Sequence, residues 1–82
     1  MNNVVEQAVL KILSDILGRN ATQADLDIGM SKGLSIIPDD LSFRFIPELE
    51  ARLGVSATYE EWLNVNTGRE VIYLFESLLK KQ

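Results

Sequence analysis

With 82 residues, no cysteine and no histidine, the chain can build one small domain but no deep cleft, because a chain of this size buries only about 60–65% of its extended-state surface. The missing residue types exclude disulfides, thiolate nucleophiles, histidine general bases and zinc sites of the usual nitrogen and sulfur type. Twelve Asp plus Glu against eight Lys plus Arg give a formal charge of −4, which disfavours nucleic acid and favours partner proteins with basic surfaces.

The first predicted helix covers residues 4–17. Val5, Val9, Ile12 and Ile16, widened by Ala8, Leu13 and Leu17, form an apolar stripe, while Glu6, Gln7, Lys11 and Asp15 face away. Asn3 with Glu6 three residues later suits an N-terminal cap, and Gly18 is placed to end the last turn. Residues 19–37 have no sustained period. A connection of that length needs structure of its own, so a short helical turn is expected near residues 22–26, with Leu26, Ile28, Met30, Leu34, Ile36 and Ile37 as apolar anchors. Ser31-Lys32-Gly33 superficially suggests a phosphate-cradling loop. It lacks the longer glycine spacing and the strand-to-helix setting of such a loop, and reads as a segment whose glycines allow turns.

Residues 38–54, PDDLSFRFIPELEARLG, join the second apolar face to a charged one. Phe43, Phe45, Ile46, Leu49 and Leu53 recur at steps of three and four and are expected in the core, whereas Asp39, Asp40, Arg44 and Glu48 are expected outward as a docking face. Asp39 is the expected cap, Pro38 sits where a missing N–H costs nothing, and Gly54 closes the helix. Pro47 deletes a backbone bond to Phe43, so a kink or break is expected near residues 45–46. Two capping boxes follow. Thr58 with Glu61 opens a short third helix that turns Trp62 and Leu63 inward, and Thr67 with Glu70 opens a last helix whose apolar face is Val71, Ile72, Leu74, Phe75, Leu78 and Leu79. Lys80 and Lys81 suit its C-terminal end. The sum is an all-α domain over residues 1–82, with three main helices and one short one. No repeat or low-complexity tract marks a second domain, and no apolar run reaches membrane-spanning length. A cytoplasmic protein without membrane contact is expected.

This order of parts resembles the acyl carrier proteins over nearly the whole chain. The most specific pieces are LEARLGV at residues 49–55, similar to the end of that family's second helix, and VNTGREVIYLFESLL at residues 65–79, similar to its last. The resemblance implies a four-helix bundle with a long loop between the first two helices. The family attaches phosphopantetheine to the Ser of a D-S-L motif opening the second helix. Counted back from Leu49 without a gap, that Ser falls on Asp39, the preceding Asp on Pro38 and the following Leu on Asp40. A carboxylate has no hydroxyl from which to form the phosphodiester.

The sequence thus reads as an acyl-carrier-like docking module with no prosthetic group and no metal, whose partners are proteins with basic surfaces, enzymes of acyl or related metabolism among them. The alternative is a divergent carrier bearing phosphopantetheine on Ser42, expected to flank the packed face, or on Ser35 in the loop. A small enzyme using Asp39 and Asp40 as an acid/base pair is disfavoured, because adjacent helical residues diverge by about 100°.

Overall fold

The first helix forms where the sequence period demands it. In the computed structural model, which describes residues 3–81, α1 spans Val4–Leu17 and buries Val5, Ala8, Val9, Ile12 and Leu13 along one stripe. Val9, Ile12 and Leu13 are fully enclosed, and each such side chain contributes about 1.5–3 kcal/mol of transfer free energy. Gly18 ends the helix in the left-handed conformation, its N–H donating to the Ser14 carbonyl. Asn3 occupies the cap position but makes no side-chain cap bond, so the expected Asn3–Glu6 box does not close.

The long connection carries a 3₁₀ turn at Gln23–Asp27, opened by a capping box between Thr22 and Asp25. Arg19 grips the Asp25 carboxylate with two bonds of 2.8 and 3.0 Å, and the Thr22 N–H adds a third at 2.8 Å. Asp25 is buried. The Arg19 hydrogen bond, followed by the Thr22 amide, holds its carboxyl well below the ordinary carboxylate value. A group whose folded pKa is depressed stabilises the fold above its unfolded pKa, and that contribution fades as pH falls toward the folded one. Stability should therefore decline on acidification below the ordinary carboxylate range. Acid titrations of the native chain and of Asp25→Asn, followed by circular dichroism, should show a shallower decline in the variant; parallel curves would contradict this.

Further along the connection, Leu26, Met30 and Ile36 are buried as anchors and Leu34 is half-buried. Ile28 and Ile37 are exposed, contrary to expectation. A backbone bond of 2.8 Å from the Met30 N–H to the Asn66 carbonyl, within an isolated bridge pairing Gly29 and Thr67, fastens the loop to the last helix instead. Gly33 is required by close approach, since a Cβ there would meet the Ile28 side chain and, at 2.9 Å, the Gly29 carbonyl oxygen.

The second helix, α2, runs through residues 38–53 in three segments, Pro38–Asp40 (α), Leu41–Phe45 (π) and Ile46–Leu53 (α). The irregularity expected from Pro47 lies within a turn before it, as a widened helix rather than a break. The Ile46 N–H reaches back five residues to the Leu41 carbonyl. A π turn of this kind relieves crowding between the proline ring and the preceding carbonyls while the chain stays helical. Ile37 takes the cap position and Pro38 the first turn, so Asp39 lies inside the helix and does not cap it. Gly54 closes α2 with a positive φ of 71°.

The short α3 spans Tyr59–Leu63, and α4 spans Gly68–Lys80. Both expected capping boxes close, with Thr58 accepting from the Glu61 N–H and Thr67 from the Glu70 N–H. In α4, Val71, Ile72 and Phe75 are buried, and Leu74, Leu78 and Leu79 pack at the margin of the core. Gly68 lets α4 begin against Leu13, Val9 and Leu26, where a Cβ would come within 2.9 Å of the Leu26 side chain. The protein is a small, compact all-α fold. Among the described residues there are four helices and no strand. The Cα radius of gyration of 11.6 Å equals the roughly 12 Å expected of one compact domain this long. No helix among them is long and apolar enough to cross a membrane.

Candidate functional site

Because Leu41 and Ile46 are joined by a π-type bond, they lie on the same side of α2, and both face α3 across an open groove of about 580 Å³. Ala57, Trp62, Tyr59 and Leu63 form the opposite side, with Ser42 and Glu50 among the polar lining. A smaller recess of about 90 Å³ is lined by Met30, Leu41, Phe45, Ile46, Trp62 and Val65. Trp62, Leu41 and Ile46 line both. The Trp62 ring meets Phe45 edge-on at 6.2 Å and Phe75 in a tilted contact at 5.4 Å.

One carboxylate holds the two walls together. Glu50 Oε2 accepts the Trp62 indole N–H at 3.2 Å and the Ala57 backbone N–H at 3.0 Å. Nothing in the sequence pattern singles out Glu50, which lies between the apolar and charged faces of α2. The only signal was a carboxylate on the helix preceding a Trp, and that is too common to carry a prediction.

Of the sequence-derived site residues only Ser42 lines this groove; the others lie elsewhere on α2 or in the loop before it. Asp39 is exposed. Asp40 and Arg44 lie one turn apart and form an ion pair of 3.8 Å; such exposed pairs contribute at most about 1 kcal/mol. Glu48 is half-buried on the same helix. Two expectations fail at the aromatic and aliphatic positions. Phe43, expected in the core, is 74% exposed, and Leu63, expected to turn inward, is 63% exposed. Helix spacing accounts for the first. Phe43 stands two residues before Phe45, which puts it on the opposite side of the helix once Phe45 is in the core. For Leu63 the reason is the brevity of α3, a five-residue helix that can turn only part of its surface to the core. Tyr59 is 78% exposed beside it.

Ser42 was expected to flank the packed face. It is instead exposed and lines the groove. Ser35 is also exposed and holds a left-handed φ of 59°, an uncommon conformation for a residue with a Cβ. The structure thus puts Ser42 at the groove and keeps Ser35 in the loop before α2, with Asp39 between them in sequence. Chemically, the arrangement offers an apolar trough with one carboxylate, Glu50, in its lining and the exposed hydroxyl of Ser42 at its edge. Comparison of the chain with protein-family models, curated proteins and solved structures finds no match.

Proposed function

We propose that this chain is an acyl-carrier-like protein-docking module that works without a prosthetic group. The observation that carries the reading is the outer face of α2. It begins with an exposed carboxylate at Asp39, the position at which the resemblance would require an attachment serine, and continues through Asp40, Arg44 and the exposed ring of Phe43. Charges beside an exposed aromatic suit a protein interface, in which the ring supplies buried area and the charges set orientation and association rate. The partner class is a protein with a basic surface, and enzymes of acyl or related metabolism fit the resemblance. No catalytic step is assigned to the chain.

A carrier bearing phosphopantetheine on Ser42 is the second reading, favoured by the exposure of that hydroxyl at the groove. Intact mass separates the two. Protein made in cells containing a phosphopantetheinyl transferase should have the mass of the unmodified sequence. A gain equal to one phosphopantetheinyl group would overturn the docking-only reading, and fragmentation would assign it to Ser42 or Ser35. Docking itself is tested by charge. Asp40→Lys with Glu48→Lys should slow association with a co-purifying partner about tenfold at low ionic strength. The deficit should shrink as salt shortens the Debye length to about 3 Å at 1 M. Binding indifferent to both charges and salt would remove the outer face of α2 from the interface.

A further inference from the structure

The turn around Lys32 has donors and no acceptors for them. Residues 28–38 contain a single charged side chain, Lys32. Among the described residues four cations are committed to ion pairs, Lys11 with Asp15, Arg19 with Asp25, Arg44 with Asp40 and Arg69 with Asp27, while Arg52, Lys80 and Lys81 stand on or at the end of helices without one. Lys32 forms no such pair. The backbone around it closes one wide turn, the Leu34 N–H donating to the Gly29 carbonyl at 2.8 Å, and Met30 is spent on Asn66. The amides of Ser31, Lys32 and Gly33 remain outside the backbone bonds of the described residues. A helical turn that is not repeated leaves such amides to solvent or to a ligand.

Beside this turn lies a pocket of about 420 Å³ whose lining combines Gly29, Ser31, Lys32 and Asn66 with the apolar Met30, Leu41 and Val65. Its size falls within the range of small-molecule sites, and a few polar groups against an apolar wall is their usual make-up. We propose that this pocket binds a small phosphate monoester, with the phosphate at the Lys32 turn and the alcohol portion against Met30, Leu41 and Val65. Phosphate suits the donors better than carboxylate. The amides of Ser31 and Lys32, an ammonium, a hydroxyl and a carboxamide offer more N–H and O–H groups than two carboxylate oxygens can use, whereas a phosphate monoester brings three terminal oxygens and a charge near −2. The site is not a nucleotide cradle, because neither the strand nor the following helix of such a loop is present. It is independent of the docking proposal.

Phenyl phosphate is the probe, titrated into the full chain with amide shifts followed by NMR. Saturable shifts should centre on Ser31, Lys32, Gly33 and Asn66. Lys32→Ala, a change at an exposed position, should weaken binding about tenfold or more through loss of one charge-assisted contact, and Lys32→Arg should retain most of it. Inorganic phosphate should bind more weakly than phenyl phosphate, since it leaves the apolar wall uncovered, and benzoate more weakly again. Absence of saturable shifts would overturn the proposal, as would shifts that spread over Lys11, Arg52 and Lys80 and persist in Lys32→Ala. Equal affinity for benzoate would overturn the assignment to phosphate.

Discussion

Phe45→Ala should cost about 3–5 kcal/mol, the range for large aromatics removed from packed cores. Phe45 is fully buried, comes from the π segment of α2, and meets the edge of Trp62, which in turn meets Phe75. Truncation would remove the middle of the contact between α2 and α3 and leave a cavity continuous with the existing recess beside Trp62. A chain of this length has a total stability of roughly 4–12 kcal/mol at 0.05–0.15 kcal/mol per residue, so the variant should be partly unfolded at moderate temperature. Denaturant titration gives the loss, and Trp62 fluorescence should shift to the red in the folded fraction as its packing partner goes. Trp62→Ala should cost less, because Trp62 is only half-buried. A loss under about 1 kcal/mol at Phe45 would mean that the two helices are held by something other than this aromatic cluster.

That cluster also marks the boundary of what the sequence discloses. The Thr58 and Thr67 capping boxes and both glycine stops were legible because each depends on a few residues at fixed spacing, and local backbone needs decide them, whereas the box of Thr22 and Asp25 was not read. The stripes of α1 and α4 were legible because a regular 3.6-residue period carries through each helix. In α2 the period fails at one place. Pro47 announced a disturbance, but a kink, a break and a π turn all answer the same missing N–H, and the choice rests on how Phe45 and Leu49 fit beneath α1. With the turn widened, Leu41 and Ile46 share a wall, so the groove could not be read from an unbroken wheel. Asp39 illustrates a different limit. Ser, Thr, Asp and Asn before a helix all read as caps, yet Pro38 claims the first helical position and moves the cap back to Ile37. Of the charged outer face, Asp39 and Arg44 were legible as exposed, whereas Asp40 and Glu48 are half-buried. Glu50 was not legible, since its role depends on an indole N–H twelve residues away, and no local period encodes a contact between helices.

Glu50→Ala should destabilise the protein by about 3 kcal/mol and loosen α3 from α2. Two donors converge on one carboxylate oxygen, the Ala57 amide and the Trp62 indole, and a hydrogen bond to a charged acceptor contributes about 1.5–3 kcal/mol; partial exposure places each near the lower end. The Ala57 bond fixes the link leading out of Gly54, and the Trp62 bond fixes the helix that follows, so both act on the same short segment. Glu50→Gln should lose less, since a carboxamide oxygen still accepts while the charge assistance is gone. The indole contribution can be isolated with Trp62→Phe, which keeps a ring against Phe45 and Phe75 but has no N–H. In a double-mutant cycle, Glu50→Ala and Trp62→Phe should couple by about 1 kcal/mol or more, with the double variant losing less than the two single losses combined. Hydrogen exchange should then show faster opening of residues 55–63 in Glu50→Ala while α1 and α4 keep their protection. Strict additivity would mean that the Glu50 carboxylate does not hold the indole in solution, and the α3 wall of the groove would depend on ring packing and the Thr58 cap alone.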